Sequence, residues 1–184
     1  MATAKTGSFY LTETVTLPAS SAGGTRVQAS IDLGAYVDVV GGIAIAIDQV
    51  DFIWQGGTTY FNLAESMVLG NAALSLQLSD LNPNTQFLRA DDHSLIASGA
   101  MNIDFANNVT SMSSDLYPDN FGKSDLSEHF MVVNDSLYLV GGFDSLLASA
   151  AVPLSCTVRI RCRAVKLSKQ DWIAIAIQST ASDN

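Results

Sequence analysis

Charge is what this sequence has least of: Asp, Glu, Lys and Arg make up 15% of its 184 residues, against about 25% in ordinary soluble domains. The exterior is therefore largely neutral and rich in Ser, Thr, Asn and Ala. Such a surface suits burial against more protein, because charged residues are depleted at interface centres. Positive charge is scarcest, with 9 Lys and Arg against 18 Asp and Glu, a net charge of −9. A chain with that balance repels polyphosphate, which argues against non-specific nucleic-acid binding. Lys5 is the one basic residue among the first 25, so no basic packaging arm is expected. No run approaches the ~18 consecutive apolar residues of a membrane span. The start, MATAKTGSFYLTET, lacks the apolar h-region of a signal peptide. The expectation is a product of the cytoplasm with no signal peptide and no transmembrane segment.

Histidine and cysteine are equally sparse. His93 and His129 are the only two histidines, too few for a histidine-rich metal centre, and Asp91-Asp92-His93 reads as a solvent-exposed loop rather than a ligand set. Asp115 to Asp125 gathers oxygen donors but fails EF-hand spacing, which leaves calcium there an open question. The sequence contains no Gly-x-Ser-x-Gly elbow, no phosphate-cradling loop with Lys and no zinc-protease helix. The reading is therefore not an enzyme, with no cofactor. Cys156 and Cys162 lie six residues apart in an expected strand, roughly 20 Å at the strand rise, too far to bridge each other. They share the parity of Val158 and Ile160 and are expected to be buried thiols.

What the sequence does have is short apolar alternation broken by Gly, Pro, Asn and Asp, the signature of half-buried sheet. Strands are expected at Ser8–Leu17, Arg26–Leu33, Ile43–Trp54, Thr58–Phe61, Leu74–Leu78, Met101–Phe105, Phe130–Val133, Ser136–Val140, Cys156–Leu167 and Trp172–Gln178. The length fits one domain, residues 1–184. Gly pairs at 23, 41, 56 and 141 are read as turns between strands. In Ile43–Trp54 the apolar parity changes from Ile43, Ile45 and Ile47 to Val50, Phe52 and Trp54, which calls for a β-bulge near Asp48-Gln49. Helix signals are confined to a turn or two: Asn62 with Glu65 and Asp125 with Glu128 have capping-box spacing. The polar stretch from Asp80 to Pro118 is expected to form long surface loops carrying one or two strands.

Two features stand out. Ile-Ala-Ile-Ala-Ile occurs at 43–47 and again at 173–177. As strands, both segments would be apolar on both faces, so Ala44, Ala46, Ala174 and Ala176 are expected to be closely covered, by the chain itself or by a neighbouring subunit. In CTVRIRCRAVK, Arg159, Arg161 and Arg163 alternate with Val158, Ile160, Cys162 and Ala164. Five of the nine basic residues fall between 159 and 169. That local stripe suits an acidic copy of the same protein or another anionic partner.

Strand number, neutral composition, long central loops and a strand at the very C-terminus together resemble the single jelly-roll capsid proteins of icosahedral viruses, in particular membrane-containing viruses whose capsid proteins lack a basic arm. The resemblance implies an all-β sandwich of two antiparallel sheets with about eight main strands. It also implies a structural capsid subunit in the virion, with copies of itself and other capsid proteins as partners and an internal membrane as a compatible neighbour. The last strand, Trp172–Gln178, would insert between the first and a middle one, making the two IAIAI segments antiparallel neighbours. The competing class is a carbohydrate-binding or adhesive β-sandwich, marked by loop aromatics such as Tyr60, Tyr117 and Phe121. A hydrolase on a β scaffold would need a nucleophile and base that the sequence does not supply.

Overall fold

The computed structural model describes residues 2–56, 64–115 and 129–180. Ten strands are described: β1 Thr3–Ala4, β2 Phe9–Leu17, β3 Thr25–Asp32, β4 Ile43–Gly56, β5 Ala72–Ser79, β6 Leu95–Asp104, β7 Val109–Asp115, β8 Phe130–Val132, β9 Ser136–Ser145 and β10 Leu154–Lys166. A 3-10 turn spans Ala64–Met67, and one α-helix, α1, spans Lys169–Thr180. The expected strand at Thr58–Phe61, the capping residues Asn62, Asp125 and Glu128, and most of the Asp115 to Asp125 run lie outside the described residues.

All pairings are antiparallel and form two sheets. In the first, β10 lies between β2 and β4, β4 also pairs β8, and β1 continues along the β2 edge of β10. The second has the order β3-β9-β5-β6-β7. Followed along the chain, β2, β4, β8 and β10 fall in one sheet and β3, β5, β6 and β9 in the other. This is the jelly roll, two interlocked Greek keys closing face to face. β7 adds a fifth strand to the second sheet. The element that inserts between the first strand and a middle one is thus β10, not a later strand.

Alternation explains the layers. Along β2, Val15 and Leu17 are buried while Tyr10, Thr12, Thr14 and Thr16 are exposed. Along β10, Leu154, Cys156, Val158, Ile160 and Cys162 point inward. The last four meet Ile45, Ile47 and Val50 of β4 and, from the facing sheet, Leu76, Leu78, Leu137 and Leu139, while Leu154 joins Leu17, Leu74 and Phe143. Each fully buried aliphatic chain contributes about 1.5–3 kcal/mol, and this interlayer core holds the sandwich closed. Both cysteines are buried free thiols, and burial raises each to about 12.

The β-bulge falls where the change of phase requires it. Arg161 pairs Gln49 and Cys162 pairs Ile47, so Asp48 is the extra residue that shifts the inward parity from Ile47 to Val50. The glycine pairs divide. Gly24 and Gly42 have positive φ in turns, as expected. Gly141-Gly142, by contrast, lies within β9, so reading it as a turn is wrong. A Cβ on Gly141 would stand 2.7 Å from Val15 of the facing sheet, and one on Gly142 would stand 2.6 Å from the Phe87 ring. These glycines serve close packing rather than reversal.

The larger correction concerns Trp172–Gln178, which is helix rather than strand. Ser168 begins it: its Oγ accepts a hydrogen bond from the Asp171 backbone N–H, and its carbonyl accepts one from that of Trp172. The Ser168 hydroxyl in turn hydrogen-bonds the Asp171 side chain and holds that carboxyl below its usual range. Leu167 before the cap and Trp172 in the next turn join the same apolar cluster. Reciprocal cap and flanking apolar pair are the capping box and hydrophobic staple of a helix start. An acidic group in the first turn also complements the helix dipole.

Candidate assembly surfaces

The first IAIAI segment, in β4, is sealed on both faces. Ile45 and Ile47 enter the core between the sheets, while Ala44 and Ala46 are fully buried on the opposite face. That opposite face is covered by α1: Trp172, Ile175 and Ala176 pack on Ala44, Ala46, Val133, Val165 and Leu167. The second motif therefore covers the first. The two segments meet, but as helix laid on sheet rather than as paired strands. The neighbours of Ile43–Ile47 in the sheet are β10 and β8. In the helix the five residues no longer divide into an Ile face and an Ala face. Ile175 and Ala176 are turned inward, whereas Ile173 and Ile177 are 55% and 61% exposed and Ala174 is exposed. Ala44 and Ala46 thus lie under the chain's own helix, Ala176 is half-buried against them, and Ala174 is exposed.

The bulge gives this covered layer a charged border. Asp48, only 4% exposed, accepts bonds from Arg163 Nη2 at 2.8 Å and Nε at 3.0 Å and from the Ser8 hydroxyl at 2.9 Å. His129 Nε2 stands 3.3 Å from the same carboxylate. Opposite Arg163 in the register is Ala46, so the ion pair shares the side of the sheet that α1 covers. Arg163 is consequently committed within the chain, and the arginine stripe is divided.

Arg159 and Arg161 are exposed on the outer face of β10. The Arg159 guanidinium lies 5.4 Å from the centroid of the Tyr10 ring, and among the described residues neither arginine forms an ion pair. Around them the face is hydroxyl-rich, and Asp51 stands opposite Arg159 in the register. Thr14 and Thr157 hydroxyls are 2.8 Å apart, and Thr16 and Ser155 are 3.3 Å apart.

The long loops use their polar groups internally. Asp92 Oδ1 accepts from the Ser94 N–H and hydroxyl, Arg89 pairs with Asp91 at 3.1 Å, and His93 is exposed. Asp80 is different: it is buried, one carboxylate oxygen has no partner among the described residues, and Asn134 Nδ2 lies 3.4 Å from the other. Burial above all, then the Asp92 charge, raises its pKa to about 7 despite a backbone hydrogen bond that opposes the rise. Ionised Asp80 therefore works against the fold.

Uncovered apolar side chains collect at the two ends of the sandwich, a feature that sequence periodicity did not single out. Ile43 opposes Lys166 and Gly56 opposes Leu154, which defines the ends. Beyond Gly56 and Leu154 stand Leu69, Phe105, Val109, Leu146 and Leu147. Towards Ile43 stand Tyr36, Val39 and Val40. All are exposed. The cue in the sequence is adjacent pairs of aliphatics in loops, Val39-Val40 and Leu146-Leu147, where no strand or helix pattern accounts for them.

No protein-family model matches the chain, and no curated protein sequence matches it. Among solved structures, it is similar to one of Desmodium yellow mottle tymovirus, with 10% identity and a TM-score of 0.37 over 88% of this chain and 90% of that one. It is also similar to VP1 of Trichodysplasia spinulosa-associated polyomavirus in complex with 3'-sialyllactose, with 10% identity and a TM-score of 0.41 over 90% and 98%. Merkel cell polyomavirus VP1 in complex with GD1a oligosaccharide matches with 10% identity and a TM-score of 0.41 over 89% and 98%. At such scores they add no argument, and the jelly roll rests on the strand order itself. No helix among the described residues is long and apolar enough to cross a membrane.

Proposed function

We propose that this chain is a structural subunit of a viral capsid, with residues 1–184 acting as one domain that assembles into a shell through repeated contacts between copies. The observation that carries the reading is the pair of uncovered apolar ends on a jelly roll with little charge. Clustered exposed apolar side chains on an otherwise folded unit mark surfaces that are covered by protein. The hydroxyl-rich outer face of β2 and β10 is equally suited to burial. The interior of the sandwich is filled with aliphatic side chains and supports packing rather than catalysis, and no enzymatic role or cofactor is assigned.

Other capsid proteins are the further partners, and the virion is the location. The net charge of −9 argues against condensing a genome directly. An internal membrane beneath the shell is compatible with that balance. The glycan-binding alternative draws on one observation, a shallow groove lined by Gln28, Ser30, Asn82, Asn84, Thr85 and Tyr138. Amide, hydroxyl and phenol groups of that kind suit a sugar.

Electron microscopy of the purified full chain tests the proposal. Rings, capsomers or closed shells are the expected result. Dispersed single subunits that bind glycans, at every concentration tried, overturn it.

A further inference from the structure

The apolar end beyond Gly56 and Leu154 is tied together by Asn71. Its side-chain oxygen accepts the Phe105 N–H at 2.9 Å, and its carbonyl accepts the Ser145 hydroxyl at 2.9 Å. The Ser145 hydroxyl oxygen also accepts the Leu147 N–H at 3.1 Å, and the Leu147 side chain rests against Gly70. Three separate loops are thereby gathered into one surface bearing Leu69, Phe105, Leu146, Leu147 and, across the hairpin, Val109. Beside it runs an open groove lined by Asn71, Ala72, Ile103, Asp104, Val109 and Asp144, among others.

The charges bordering this surface are negative. Asp144 is already taken by Arg26 in a bidentate pair at 2.7 and 2.8 Å. Asp104 meets only neutral groups, the Asn107 side-chain and backbone N–H and then the Ala106 backbone N–H, which hold its carboxyl below the usual range. It has no cationic partner among the described residues. On the same molecule Arg159 and Arg161 are exposed without an ion pair, and they stand on a flat face of threonines beside Tyr10, which is 56% exposed. Arg26, Arg89 and Arg163 are already engaged. Each copy thus carries an apolar surface bordered by an unmatched anion and, elsewhere, a hydroxyl-rich face bearing two cations, Arg161 opposite Gln49 and Arg159 opposite Asp51, neither in an ion pair among the described residues.

We propose that these two surfaces are partners: the Asn71 end of one copy docks on the outer face of β10 of a second copy, placing Arg159 and Arg161 against Asp104. The inference rests on the shell reading and specifies its repeated contact. The contact is heterologous, since the two surfaces lie on different parts of the subunit. A contact of that type leaves one surface free on each terminal copy until a ring or shell closes. Opposite charges orient the encounter, while the leucines and Phe105 supply the buried area.

Charge reversal with compensation tests it on the full chain, with assembly read by sedimentation velocity and folding by circular dichroism. Asp104→Arg and the pair Arg159→Glu with Arg161→Glu should each keep the wild-type spectrum and lower the association constant about tenfold or more. Combining all three should recover most of the loss. Leu146→Asp, at a fully exposed position, should also impair association without altering Tm. Normal assembly of either charge variant overturns the pairing, as does failure of the combination to recover. Loss of binding to a polyanion such as heparin in the arginine variant, with assembly intact, overturns it in favour of a foreign anion. A wild-type chain that never associates overturns the shell reading itself.

Discussion

The two IAIAI segments have the same five residues and different structures. At 43–47 they form a strand; at 173–177 they form part of α1. The difference lies in what surrounds them. Residues 43–47 begin a 14-residue strand with β10 on one edge and β8 on the other. Every backbone group there has a sheet partner within reach, and alternating Ile fits the pleated surface. Residues 173–177 follow Leu167-Ser168-Lys169-Gln170-Asp171-Trp172, where cap and staple start a helix before the first Ile is reached. The intrinsic preference against helix is modest, a few tenths of a kcal/mol per β-branched residue. It is outweighed by burying Trp172 and Ile175 against the alanine face of β4. The small side chains Ala44 and Ala46 are what allow a helix to lie so close to that face.

That contrast can be broken most sharply at Ala46. Replacing it with Glu buries a second carboxylate between β4 and α1, opposite an Arg163 already held by Asp48, a cost of several kcal/mol. Thermal denaturation should show the fold lost or Tm lowered by more than about 15 °C. The same change at Ala174, the exposed alanine of the second motif, faces solvent and should leave Tm nearly unchanged, within about 0.5 kcal/mol. Equal effects at the two sites would mean that the motifs occupy equivalent environments.

Next in size is Arg163→Ala. It removes the main partner of a buried carboxylate at the bulge that sets the phase of β4. Because Arg163 is partly exposed and Ser8 and His129 remain near Asp48, the expected loss is about 2 kcal/mol by urea denaturation. Ser168→Ala follows, at about 1 kcal/mol for loss of a helix cap. Its helical circular-dichroism signal should fray before the sheet signal does, because α1 is attached through one face only. The smallest effect belongs to Arg161→Ala, on the same face of β10 as Arg163 but exposed and without an ion pair among the described residues, which should cost less than about 0.5 kcal/mol in the urea assay.

Much of the architecture was legible in the sequence because period-two alternation survives wherever one sheet face is buried. β2, β3, β4, β5, β9 and β10 all show it. The bulge at Asp48 was legible too, since a strand that keeps one face inward can change its apolar parity only by taking in an unpaired residue. β7 escaped because Val109 and Met112 are both exposed and its sequence, VTSMSSD, carries no buried stripe. α1 was misread because alternation was followed past a start signal, Ser168-x-x-Asp171, that lay immediately upstream.

The candidate surfaces were legible only in part. Parity correctly put Arg159 and Arg161 outside, but it could not show that Arg163 is held by Asp48 across the strand pair. That requires the register of β10 on β4. Nor could it show that Asn71 joins three loops from distant parts of the chain.

Self-association is the property on which the shell reading depends, and native mass spectrometry of the purified wild-type chain across a concentration series tests it directly. The prediction is a set of masses at whole multiples of the 19.5 kDa subunit, with larger species growing as concentration rises. A single mass of one subunit at all concentrations would contradict it.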